Sequence, residues 1–211
     1  MSRAPITVTN LTGGYNGTAV IHNCNMQIAA GEIVVIMGGS GSGKSTFLRH
    51  LIGLKPPMEG DVLLFGESLY GVDEIARLRL LKGIGVAFQS GALLSSLTVA
   101  ENVALPLIEH SQLDRETIDV IVRMKLDFVG LLGKEDLLPS ELSGGMLKRV
   151  AVARAIALDP LLTFMDEPSA GLDPISSKRL DDLILELRDS LGTTIVIVLE
   201  RDPSSIMWGK D

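Results

Sequence analysis

Nine residues, GGSGSGKST at 38–46, constrain the fold of this chain more than any other stretch. Gly38, Gly43, Lys44 and Ser45 fit G-x-x-x-x-G-K-[ST], a pattern with physical meaning only where a buried strand runs into it and a helix runs out. Both flanks comply. IVVIM at 33–37 lacks polar alternation and predicts a strand covered on both faces, as in a parallel sheet flanked by helices. FLRHLIGL then shows helical periodicity until Gly53 and the Pro56-Pro57 pair. A glycine-rich loop in this frame turns successive backbone N–H groups inward, and the following helix N-terminus favours an anion. The candidate nucleotide-binding set is therefore Gly38, Ser40, Gly41, Ser42, Gly43, Lys44, Ser45 and Thr46. Lys44 is expected to reach the β- and γ-phosphates of ATP, and Ser45 to offer its hydroxyl to Mg2+.

The rest of the chain supplies elements that suit such a loop. ITVTN and TAVIHNCNMQI read as strands joined at Asn-Gly, and GDVLLFGESL as a strand pair. VDEIARLRLL predicts a short helix starting near Asp73, and IGVAFQ at 84–89 a further strand. From Ser90 the period changes. In ETIDVIVRMKLDFVGL, residues Ile118, Ile121, Val122, Lys125, Phe128 and Val129 share a face with one charge in the stripe, so 90–157 reads as a helical lobe. LLTFM at 161–165 and TTIVIV at 193–198 are buried strands around a helix that Gly192 ends.

Two further groups carry chemistry. LLTFMDEP brings Asp166 and Glu167 to a strand end, where a carboxylate leaves the apolar core. Asp166 is the candidate magnesium ligand, and Glu167, one residue on, the candidate to orient and deprotonate water. Without the phosphate loop, Asp166, Glu167 and Pro168 would read as a strand-end turn with solvated carboxylates. LSGGMLKRVAVARA at 142–155 opens a basic, Ala-rich helix with Ser143, Gly144 and Gly145; a serine cap with glycines easing the turn is its local reading. The formal charge of −7 argues against a nucleic-acid partner. Cys24, the only cysteine, excludes an internal disulfide, and no run approaches a membrane span, so a cytoplasmic protein is expected.

With the phosphate loop, LSGGM, the acidic pair and SAGLD at 169–173 in this order, the chain resembles the ATP-binding subunit of ABC transporters. The resemblance implies an α/β fold, a P-loop NTPase of the ABC type with an antiparallel β subdomain and an inserted helical subdomain. Residues 1–211 would be one domain, with 1–89 and 158–211 forming the nucleotide-binding core and 90–157 the helical insertion. QSGALLSSLTVAENVALPLIEH, PSELSGGM and ARAIALDP look like the Mla-type phospholipid transporters, Met146 standing where most signatures have Gln. Tyr15 then matches an aromatic that stacks on adenine, although a strand-end core role is its alternative. Gln89 matches a residue touching magnesium and water, with a plain polar strand end as its alternative. Asp173 matches a residue that crosses a dimer interface, which is compatible with capping the next helix. Ser143, Gly144 and Gly145 would face the γ-phosphate held by the other subunit's Lys44.

The implied partners are a second copy arranged head-to-tail and closing with ATP, a membrane permease, and the small regulatory and lipid-binding subunits of a Mla-type complex. The implied location is peripheral, on the cytoplasmic face of a bacterial inner membrane. SGALLSSLTVAENVALPL is read both as a permease-receiving surface and as lobe core. The chain departs from the family at two places. Leu199 and Glu200 stand where a Thr-His pair normally contacts the γ-phosphate, which raises a rival expectation: a dimerising module with little hydrolysis. ERDPSSIMWGKD ends the chain early, so a shortened C-terminal part is expected. A soluble ABC ATPase of DNA repair or translation is disfavoured, since the chain has no room for a long coiled coil.

Overall fold

The computed structural model describes residues 4–200; the tail expectation, apart from Glu200, lies outside them. The first sheet is antiparallel. Strands β1 (Ile6–Tyr15) and β2 (Thr18–Ile28) form a hairpin, and β4 (Glu59–Leu64) and β5 (Glu67–Ser68) extend it in the order β2-β1-β4-β5. Asn16 and Gly17 both have positive φ, 49° and 79°, at the hairpin tip. That is the backbone a two-residue turn needs to match strand twist, which Asn-Gly adopts readily.

The second sheet is parallel, in the order β3-β8-β7-β6, with β3 Ile33–Gly38, β6 Ile84–Ala87, β7 Leu162–Asp166 and β8 Thr194–Glu200. Register pairs Gly38 with Glu200, Asp166 with Val198, and Ala87 with Met165. All four carboxyl ends therefore meet at one edge, where ligands of open α/β sheets bind. Six α-helices and one short 3-10 helix, Pro139–Glu141, complete the described chain: α1 (Lys44–Leu51), α2 (Glu74–Lys82), α3 (Val99–His110), α4 (Arg115–Phe128), α5 (Gly144–Ala155) and α6 (Pro174–Leu191).

The two central strands explain their own uniform hydrophobicity. Leu162, Phe164, Val196 and Val198 join one core with α1 and the antiparallel sheet, whereas Met165, Ile195 and Ile197 join another with the helical lobe and α6. Alternate residues face opposite layers, so the strand interiors are apolar apart from Thr163 and Thr194, whose hydroxyls are hydrogen-bonded. The outer strand β3 corrects the sequence expectation of burial on both faces. Val34 and Ile36 pack against the first core, but Val35 and Met37 are each 41% exposed. Among the described residues β3 is one of the two edges of this sheet, and α6 leaves an apolar groove between it and Leu185. An uninterrupted apolar run cannot distinguish an edge from a centre.

In the lobe, α3 packs on α4 and α5. The α4 stripe buries Ile118, Val122 and also Leu126, while Ile121 and Phe128 are half-buried. Its charge, Lys125, is buried and paired with Asp159 ahead of β7, which neutralises the ammonium. The structure also divides SGALLSSLTVAENVALPL: Val99, Val103 and Leu107 are core, and Leu94 is 46% exposed. Asn102 organises the loop before α3. Fully buried, it accepts from Leu94 N–H at 2.8 Å and donates to the carbonyls of Leu94, Leu97 and Thr98 at 3.1, 3.1 and 2.9 Å. Asn102→Leu is expected to cost about 2–4 kcal/mol, because buried backbone groups left unpaired cost about 1–3 kcal/mol each. Urea unfolding checks this, and an unchanged midpoint would show that water replaces the amide.

Candidate functional site

The phosphate loop is built from backbone conformations that only its glycines allow. Gly43 caps α1 with φ 93°, and provides no side chain to the first-turn N–H groups. A Cβ on Gly38 would lie 2.6 Å from Ser42 Oγ, closer than atoms pack. Lys44 is 9% exposed and folds over the loop, donating to the Gly38 and Gly39 carbonyls at 2.7 Å each. Ser40, Gly41, Ser42 and Ser45 are exposed, while Thr46 is buried against the core. The first turn of α1 carries no acidic residue, so the helix itself sets no negative charge against its N–H dipoles and the ammonium.

Across the same edge lie the two acids. Asp166 is the last residue of β7 and half-buried. Burial pushes its carboxyl pKa up, opposed by the positive charges of Lys148, Arg49 and Lys44. Glu167 has φ 45°, a left-handed backbone costing about 1–3 kcal/mol for a residue with Cβ. Its N–H donates to the Val198 carbonyl at 2.8 Å, which holds the turn against β8. The Glu167 carboxylate accepts from Gln89 Nε2 at 2.7 Å, joining the ends of β6 and β7. Glu200 stands exposed at the end of β8, in register with Gly38.

The remaining predicted residues fall into two places. Ser143 caps α5, its Oγ accepting from Met146 N–H at 3.3 Å, and Gly144 begins the helix. Gly145 lies against Ser176, and Asp173 caps α6 by accepting from Ile175 and Ser176 N–H at 3.0 Å each. The LSGGM start and the Asp173 cap are thus neighbours. Tyr15 is 40% exposed at the hairpin end, so its strand-end core alternative is not met. Lys55 Nζ sits 3.5 Å from its ring centroid and Arg49 donates to its hydroxyl at 2.6 Å.

A resident metal fits this donor set in one way. Among the described residues no group of three or more His, Cys, Asp or Glu side chains could hold a metal by itself. One carboxylate and one hydroxyl beside an anion-binding loop suit Mg2+, which keeps waters and shares substrate phosphates rather than entering a protein cage. The sequence reading missed Lys148 and Arg154. Lys148 Nζ donates to the carbonyls of Gln89 and Glu167, the latter at 3.1 Å, and Arg154 donates to Gly91 and Ala92 at 2.7 Å each. Their only advance signal was the basic character of the LSGGM helix.

Comparison with known proteins agrees with this geometry. The family model described as ABC transporter matches residues 21–170. A Haemophilus influenzae protein, "Intermembrane phospholipid transport system ATP-binding protein MlaF", is 42% identical over 198 residues, covering 94% of this chain and 75% of its own length. The "Probable ribonucleotide transport ATP-binding protein mkl" of Mycobacterium leprae is 41% identical over 92% of this chain, which spans only 56% of that relative. The dimeric ATP-binding cassette MJ0796, solved in a post-hydrolysis state with ADP and Pi, superposes with a TM-score of 0.85 at 32% identity, covering 94% of this chain and 89% of that one.

Proposed function

This chain belongs to the ABC transporter ATP-binding family, and from that premise we propose that it hydrolyses Mg-ATP to power phospholipid movement through a separate membrane permease. The observation that carries the ATPase reading is the meeting of Lys44, Asp166 and the Gln89–Glu167 pair at one sheet edge. Lys44 and the first-turn N–H groups of α1 would hold the phosphates, and Ser45 and Asp166 would hold Mg2+. When bound, the ion neutralises phosphate charge. Gln89 orients the Glu167 carboxylate, which positions a water and takes its proton as the terminal anhydride bond breaks. The phospholipid reading rests on the Haemophilus relative and on Met146 in the signature.

Ser143, Gly144, Gly145 and Asp173 would complete the site from a second copy arranged head-to-tail. Residues 90–157 form the lobe that receives the permease. Its docking surface would be Leu94 together with the cleft in which Pro106, His110 and Arg154 of the lobe face Leu81 of α2. On the strength of the Haemophilus relative we also propose a peripheral place on the cytoplasmic face of the membrane, with regulatory and lipid-binding subunits as further partners; no described helix is long and apolar enough to cross a membrane.

The test is Mg-dependent phosphate release by the purified chain, measured beside Glu200→His. We expect the unmodified chain to turn over and the variant to gain about tenfold. It removes a negative charge at the end of β8 and adds a donor, and one hydrogen bond to a charged group is worth about 1.5–3 kcal/mol. Release that is absent, or unaffected by EDTA, would reject the ATPase reading.

A further inference from the structure

The helix that begins with LSGGM does more than present its N-terminus. Lys148 lies one turn into α5, about 6 Å along the axis from Gly144 at 1.5 Å per residue. Its ammonium donates at once to the carbonyl of Gln89, beyond β6, and to that of Glu167, beyond β7. Those two residues are already joined through their side chains at 2.7 Å. A closed triangle results, with two corners on the sheet edge and the third on the helical lobe. Arg154, further along α5, holds the same loop at Gly91 and Ala92, so the loop after β6 is gripped at two points by one helix. Lys148 is half-buried, and burial pushes its pKa down, opposed by the charges of Glu167 and Asp166.

We propose that Lys148 is a positioning residue for the hydrolytic pair: its ammonium ties the ends of β6 and β7 to the signature helix, so a shift of that helix moves Gln89 and Glu167 together. Movement of α5 against the sheet edge then cannot leave the pair in place. The inference rests on the ATPase reading for its consequence, but the tie itself is independent of turnover. Misplacing reacting groups by about 1 Å can cost about 100-fold in rate. The contact is made to backbone carbonyls, so an arginine, whose planar fork also spans two acceptors, should substitute. A methionine keeps the stem and removes every donor.

The experiment compares the full chain with Lys148→Met and Lys148→Arg by three readouts. Without nucleotide, amide exchange in Lys148→Met should rise about tenfold at residues 89–92 and 167–170, with α4 and β1 unchanged. In phosphate release, Lys148→Met should lose about 30-fold or more in kcat while ATP affinity stays within about twofold and the unfolding midpoint within a few degrees. Lys148→Arg should return kcat to within about threefold of the unmodified chain. Equal kcat in Lys148→Met and the unmodified chain would overturn the inference, as would unchanged exchange at both segments. So would an arginine variant as impaired as methionine. If the unmodified chain releases no phosphate yet the exchange pattern is as described, the ATPase reading fails and the tie stands.

Discussion

Lys44→Ala is expected to reduce affinity for Mg-ATP by about 100-fold or more. Lys44 is the buried cation of the loop, and two charge-assisted bonds from its ammonium to phosphate oxygens, at about 1.5–3 kcal/mol each, would amount to about two to four decades at about 1.4 kcal/mol per decade. Alanine also releases the Gly38 and Gly39 carbonyls, so part of the loss comes through the loop's shape rather than through the missing charge. Titration of a fluorescent ATP analogue against both proteins, with unfolding midpoints recorded in parallel, separates these contributions. A variant that stays folded and binds within about threefold of the unmodified chain would show that the glycine-rich loop is not the phosphate site.

Glu167→Gln is expected to lower phosphate release by about 100-fold or more, the range over which a positioned base contributes, while ATP binding is retained. Glutamine preserves size and the backbone bond to Val198 but cannot accept a proton. It also presents an amide to the Gln89 amide, where a carboxylate now accepts a 2.7 Å bond. If a second copy completes the site, ATP that is bound and not cleaved should hold the pair together, so size-exclusion chromatography with ATP should show a dimer that the unmodified chain does not accumulate. Undiminished turnover would remove Glu167 from the mechanism. Normal binding with lost turnover here, set against lost binding in Lys44→Ala, distinguishes holding the nucleotide from cleaving it.

How much of this was readable in the sequence depends on what a residue touches. The phosphate loop was legible because its chemistry is a backbone conformation, which glycines at fixed offsets announce, and the structure has that turn with Gly43 at φ 93°. Asp166 and Glu167 were legible because a buried strand must end before a carboxylate can leave it. Asn102, Lys148 and Arg154 were not, since each bonds to backbone carbonyls, 4–8 residues away for Asn102 and 19–63 residues away for the two cations, and a carbonyl has no identity in a sequence. Exposure of Val35 and Met37 was hidden for another reason: strand order is a long-range property, and β3 is an edge because β8, far along the chain, pairs one side while no described strand pairs the other. The likeness of the LSGGM start to an ordinary capped helix also holds in the structure, where Ser143 caps α5. Local geometry and proposed function coincide there.

The insertion of β8 between β3 and β7 has a consequence for size. The strand that feeds the loop and the strand that carries Asp166 are separated by two interstrand spacings, about 9.5 Å of backbone. A small anion resting against Lys44 leaves the far margin untouched. A ligand that engages both margins has to cross the end of β8, which closes with Leu199 and Glu200. Strand order thus sets a span of backbone that the side chains of the two margins and their ligand have to close together.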